Sequence, residues 1–148
     1  KNMLSSKKNK STDHYDTLIS TKSEFEGNLH FSGGLHIDGC IKGNIVADEQ
    51  SGAVVRISES GVVEGEIRAP NVIINGRVVG NVFASGHIEL AKKAMVTGDV
   101  NYTMMEMVMG AQVNGNLIHQ GAEAPRKGRK NAEPVLSEVS VGKESKAD

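Results

Sequence analysis

Residues Ile37–Ile45 read I-D-G-C-I-K-G-N-I, and Ile74–Val82, 37 positions later, read I-N-G-R-V-V-G-N-V. Their common element is apolar-x-Gly-(Asn/Asp/Glu)-apolar. It occurs six times, at Phe25–Leu29, Ile41–Ile45, Val63–Ile67, Val78–Val82, Val96–Val100 and Val113–Leu117. The central glycines (Gly27, Gly43, Gly65, Gly80, Gly98 and Gly115) are 16, 22, 15, 18 and 17 residues apart. A second element, apolar-x-apolar, precedes five of the six copies, as Leu35/Ile37, Val55/Ile57, Val72/Ile74, Ile88/Leu90 and Met105/Met107. Repetition on this length scale with matching flanks marks a repeat architecture.

Strand geometry says what kind. Apolar residues at i and i+4 around a central glycine point to one face of an extended segment. One such unit is too short to bury its face alone, so it stacks on copies of itself. A coil of this length holds two or three short strands with tight corners, and equivalent apolar residues form ladders along the interior. Glycine at the third position suits a corner or bulge where a side chain would clash. The Asn, Asp or Glu that follows is expected to face solvent. The 22-residue interval contains Asp48–Gly52, which reads as a longer surface loop at one corner. The fold class is therefore all-β, a single parallel β-helix of about six coils.

Composition agrees. Aromatic residues make up only 3% of the 148-residue chain and Trp is absent, so Ile, Val, Leu and Met must build the core. Seventeen glycines against three prolines indicate many regular turns. Residues 1–17 read as a polar, basic arm and 121–148 as a second polar tail, neither apolar enough to order itself, which leaves 18–120 for the β-helix. The net charge of −1 gives no electrostatic case for nucleic acid. Its distribution is uneven: residues 1–20 carry +2, 121–148 carry +1 and the middle −4. Lys7, Lys8 and Lys10 could thus meet an anionic membrane surface. Cys40 is the only cysteine, which fits a reducing compartment. No run is long enough for a transmembrane helix or a signal-peptide core, and a chain that opens on Lys1 leaves room for sequence upstream.

Residues 18–120 resemble the bactofilins, on the Leu18–Ser20 opening, the Phe31–Gly39 stretch (F-S-G-G-L-H-I-D-G) and the repeated Gly-(Asn/Asp/Glu)-(Ile/Val/Leu) coil element. The resemblance implies a right-handed β-helix with disordered tails. It further implies a bacterial cytoskeletal protein that polymerises without nucleotide into non-polar filaments. Such filaments lie along the inner face of the cytoplasmic membrane and scaffold cell-wall enzymes or shape proteins. The residues themselves also point to self-association. The first coil offers Phe25, Leu29 and Phe31 and the last offers Met107, Val113 and Leu117, with no capping helix nearby in sequence. An uncapped solenoid presents unpaired backbone and apolar side chains at each end, so these six residues are the expected polymerisation interface. In the methionine cluster, alternation sends Met105, Met107 and Met109 inward and Met104 outward.

No catalytic, cofactor-binding or metal constellation emerges. His14, His30, His36, His87 and His119 are scattered, none at ligand spacing from Cys40. His30 and His36 flank ladder positions and should face solvent. Cys40 should sit outward or at a corner, with no histidine placed to activate it. The glycine-rich stretch at Gly33–Gly34 lacks the Lys-Ser/Thr of a phosphate loop. Two other classes compete with the filament. A hexapeptide-repeat acyltransferase, a left-handed β-helix, would need apolar residues every six positions. Ile57, Val63 and Ala69 obey that rule, but Asn75 and Asn81 break it. A monomeric binding solenoid would show an aromatic stripe, which Phe31, Phe83 and Tyr102 do not form.

Overall fold

Three-residue strands are too short to hold together unless each is hydrogen-bonded to the coil before and the coil after. The computed structural model describes residues 15–121 and realises that pairing in every inner coil. Its strands are β1 (Thr17–Ile19), β2 (Glu24–Glu26), β3 (Leu29–Phe31), β4 (Gly34–Ile37), β5 (Cys40–Lys42), β6 (Ile45–Ala47), β7 (Val54–Ile57), β8 (Val62–Glu64), β9 (Ile67–Ile74), β10 (Arg77–Val79), β11 (Val82–Leu90), β12 (Met95–Thr97), β13 (Val100–Met107), β14 (Gln112–Asn114) and β15 (Leu117–His119). The strand pairs are all parallel. The expected parallel β-solenoid of about six coils is what forms.

The strands make three faces. β2, β5, β8, β10, β12 and β14 form the first as a separate sheet. β3, β6, the leading halves of β9, β11 and β13, and β15 form the second. β1, β4, β7 and the trailing halves of β9, β11 and β13 form the third. Inward residues stack in register into columns. One runs Phe25–Ile41–Val63–Val78–Val96–Val113. A second runs Leu29–Ile45–Ile67–Val82–Val100–Leu117. A third runs Ile19–Ile37–Ile57–Ile74–Leu90–Met107. The four inner rungs of each column have no exposed surface. Each such aliphatic side chain contributes about 1.5–3 kcal/mol relative to exposure.

The unequal intervals have local causes. In the longest coil, Asp48–Gly52 is a surface loop with one 3-10 turn, Glu49–Ser51. Asp48 Oδ1 accepts from Gln50 N at 3.1 Å, and Gly52 closes the turn at φ 69°. The loop is pinned laterally by Ser85, whose hydroxyl lies 2.5 Å from Glu49 Oε1. Between Gly80 and Gly98, β11 carries a bulge, with Ser85 and Gly86 set against single residues of β9 and β13.

The corner glycines take positive φ, and their hydrogen faces the coil before. A Cβ on Gly65 would lie 2.0 Å from the carbonyl oxygen of Gly43, and one on Gly80 2.1 Å from that of Gly65. Coils can approach to strand spacing at this corner only because both residues lack side chains.

The residue after each glycine does more than face water. Asn28 Oδ1 accepts from Asn44 N at 3.1 Å and Asn44 Oδ1 from Glu66 N at 3.0 Å. Asn81 Oδ1 accepts from Asp99 N at 2.9 Å, and Asp99 Oδ1 from Asn116 N at 3.0 Å. Glu66 turns aside to Arg68. The side chains thus form a ladder that satisfies corner N–H groups of the next coil, where a solvent-facing role alone was expected. Asn81→Ala removes one rung and is expected to cost about 1 kcal/mol. A thermal melt followed by circular dichroism should fall by roughly 4–8 °C for a domain of this size.

The first rung of the third face begins one residue before the expected boundary, and it fills the place before Phe25 where no apolar-x-apolar copy was read. Thr17 and Ile19 of β1 stand opposite Leu35 and Ile37, so the ordered body takes in Thr17, which composition alone assigns to the arm. A threonine occupies the rung where other copies carry an aliphatic residue. Residues 1–14 of the basic arm, with Lys7, Lys8 and Lys10, lie outside the described residues, as does the tail from 122.

Candidate functional site: the two open ends

A helical path that starts on the third face and stops on the second leaves a step at each end. At the first end, the outer edges of β1, β2 and β3 have no strand beyond them among the described residues. At the second, the uncovered edges are β14, β15 and the trailing half of β13, Met104–Met107, which lies one rung lower. Such edges carry rows of N–H and C=O groups that a further strand can pair.

All six residues read from the sequence as interface fall at these ends. Phe25, Leu29 and Phe31 lie at the first, half-buried against the inner rungs. Met107, Val113 and Leu117 lie at the second, Val113 half-buried and both Met107 and Leu117 45% exposed. In the same columns Leu90, Val96 and Val100 have no exposed surface. Only the missing next rung distinguishes them. Ile19 and Tyr102 also pack at the rims, and Tyr102 lies 5.4 Å from the His119 ring, centroid to centroid. Charge differs between the ends. The first carries Glu24 and Glu26 on β2, while the matching positions of the second are Gln112 and Asn114. Glu24 pairs with Lys42 at 3.1 Å, an exposed contact worth little to stability.

Met109 departs from the alternation, being 92% exposed rather than inward. β13 ends at Met107, and Val108–Ala111 is a turn closed by Ala111 N donating to Val108 O at 3.1 Å. Period two does not carry through a turn, so Met109 points out. Met105 is half-buried and Met104 faces outward.

The chemically versatile side chains on the lateral faces are held in undemanding surroundings. Cys40 opens β5, half-buried. Burial first, then the Glu24 and Glu64 carboxylates, push its thiol up, so it stays protonated at neutral pH. His36 Nε2 is 2.8 Å from Asp38 Oδ1 and its ring meets Tyr15 edge-on at 5.2 Å, so it is half-covered where a solvent-facing ring was expected. Hydrogen bonding from Ser58, opposed by burial and aided to a lesser degree by His36, holds the Asp38 carboxyl below its usual range. Among the described residues no group of three or more His, Cys, Asp or Glu side chains could hold a metal ion. A shallow, open depression beside the first coil is lined by His30, Phe31, Val46 and Asp48. No helix of the described residues is long and apolar enough to cross a membrane.

Columns fully buried at mid-length and, among the described residues, open at both ends define a class, the parallel β-solenoid. Comparison with known proteins makes the class specific. Residues 17–118 match the family model for Bactofilin, described as polymer-forming cytoskeletal, and the chain belongs to that family. It is 34% identical over 102 residues to bactofilin BacO of Myxococcus xanthus, covering 69% of this chain and 78% of BacO. It is 26% identical to bactofilin BacP of the same organism over 102 residues, 69% of this chain and 41% of BacP. Among solved structures it is similar to the bactofilin of Thermus thermophilus, reconstructed by cryo-electron microscopy as double helical filaments. The TM-score is 0.62 at 26% identity, over 70% of this chain and 99% of that one.

Proposed function

We propose that this chain assembles without nucleotide into filaments by end-to-end stacking of its solenoids. Phe25, Leu29 and Phe31 supply the contact at one end and Met107, Val113 and Leu117 that at the other. The observation that carries this reading is the loss of cover at the last rung of each column. Completing burial of a half-exposed leucine or methionine is worth about 1 kcal/mol each. Pairing of the strand edges adds hydrogen bonds that fix register. The step at the second end gives the contact a shape, because a strand of the incoming copy must fill the place above Met104–Met107. Family membership and the filament form of the Thermus thermophilus relative support the same reading.

On this reading the polymer is a scaffold for cell-wall or shape machinery at the inner membrane face. The arm bearing Lys7, Lys8 and Lys10 tethers it to anionic lipid. Each lysine near such a surface adds about 1 kcal/mol, so one subunit binds weakly and a polymer binds through many arms. Sedimentation and negative-stain microscopy of the purified chain, free of nucleotide, should show filaments above a threshold concentration. Vesicles containing phosphatidylserine should co-sediment with the filaments, and deleting residues 1–12 should abolish co-sedimentation while leaving filaments intact. A compact monomer at high concentration would rule out the stacking reading. Unchanged vesicle binding after the deletion would remove only the tether.

A further inference from the structure

The third-face rungs change chemistry at the end of the solenoid. The inward pairs Leu35/Ile37, Val55/Ile57, Val72/Ile74 and Ile88/Leu90 are aliphatic, while the last pair is Met105/Met107. The only thioethers in these columns thus stand on the rung that no strand covers among the described residues. Met105 is half-buried and Met107 is 45% exposed above Leu90. Met104, 62% exposed, and Met109 share this rim, but neither continues a column. Met95, 39% exposed, sits on the outer surface of the first face, one strand in from the second end, and belongs to no column.

We propose that Met107 is a modification site through which peroxide controls assembly: its sulfoxide closes the second end to stacking, and reduction reopens it. This rests on the reading of that end as an assembly contact. In the reaction the sulfur lone pair attacks one oxygen of the peroxide and the O–O bond breaks. With hydrogen peroxide the other oxygen leaves as water. Sulfur loses two electrons, the peroxide gains them, and a flexible apolar side chain becomes polar. The S=O oxygen then points where the next copy must place an apolar side chain. Stacking would bury an acceptor without a donor. In a filament Met107 is covered, so the reaction falls on free ends and unassembled chains. Peroxide therefore stops growth before it erodes existing polymer. Met104 and Met109 react earlier, being more exposed, without closing the end, because they lie outside the columns.

The test treats the full chain with hydrogen peroxide while dilute and unassembled, maps oxidation by peptide mass spectrometry, then concentrates and sediments it. The threshold concentration should rise about tenfold, the equivalent of about 1.4 kcal/mol per contact. The rise should track oxygen gain at Met107 rather than at Met95, Met104 or Met109. Methionine sulfoxide reductases with a thiol reductant should restore the original threshold, a reversal that no unfolding artefact would show. Met107→Leu should assemble equally before and after peroxide, whereas Met109→Leu should stay sensitive. Wild-type protein oxidised at Met107 yet assembling at the untreated threshold overturns the proposal, as does a Met107→Leu chain that peroxide still blocks. If the untreated chain forms no filaments, the stacking reading itself falls and this site falls with it.

Discussion

Gly65→Ala is expected to unfold the solenoid or lower its melting temperature by roughly 15 °C or more, a loss of about 4 kcal/mol at least. Two penalties act together. Gly65 sits at φ 155°, where a side chain strains the backbone by about 1–3 kcal/mol. The new Cβ would also stand 2.0 Å from the carbonyl oxygen of Gly43 and 2.5 Å from its carbon. Both are backbone atoms of the neighbouring coil, so no rotamer change relieves the overlap. The coils must part, and parting them breaks the pairing of β5 with β8 and of β6 with β9. Since a domain is stable by only about 5–15 kcal/mol, one methyl group takes a large fraction.

Gly27→Ala is the matched control, because Gly27 is the same corner in the first coil, with no described coil before it. It also has positive φ, at 126°, but a Cβ there meets nothing within 4 Å. Its cost should be confined to backbone strain, about 1–2 kcal/mol. Circular dichroism melts of the two variants would separate strain from stacking. Equal destabilisation would mean that close coil approach does not matter at this corner.

How far the sequence carried the reading depends on where a residue's partner lies. The columns were legible because period-two alternation inside a strand and recurrence between coils both report on the same inward face. Ile41, Val63, Val78 and Val96 occupy one column because they occupy one place in the repeat. The asparagine ladder was missed because the donor to Asn81 Oδ1 is Asp99 N, in the next coil. Alternation within a strand says only that Asn81 points away from the core. Its signal was chemical recurrence: four of the six residues after the corner glycine are Asn. β1 lay almost wholly within the expected β-helix but was not read as a copy of the apolar-x-apolar element, since Thr17 fails an apolar criterion even though Ile19 precedes Phe25 by the spacing that separates Ile57 from Val63. Met109 shows the opposite error, alternation extended past the residue where the strand stops. The candidate site was legible because it is the first and last copy of the repeat. Its step was not, because the place where a path leaves a three-sided coil is a property of three strands at once.

Leu117→Arg is the other change of large expected effect, and it acts on assembly rather than on folding. Leu117 ends the column through Val100, Val82 and Ile67, and its 45% exposure lets an arginine reach water in the single chain. The melt should move by only a few degrees. In a stack the same guanidinium would be buried over apolar rungs without a partner, a penalty of about 3 kcal/mol or more. The threshold for filaments should then rise roughly a hundredfold. Ile118→Arg, one residue on, is the control, because that side chain lies beside Asn101 on the outer surface and finishes no column. Sedimentation velocity adds information on polarity. In the non-polar polymer that the family resemblance implies, the first end remains competent and Leu117→Arg should stop at pairs of chains. In a polar polymer every contact uses Leu117, and single chains result. Filaments formed by Leu117→Arg at the wild-type threshold would mean that the columns do not continue from one copy into the next, and the contact would have to be sought on the lateral faces.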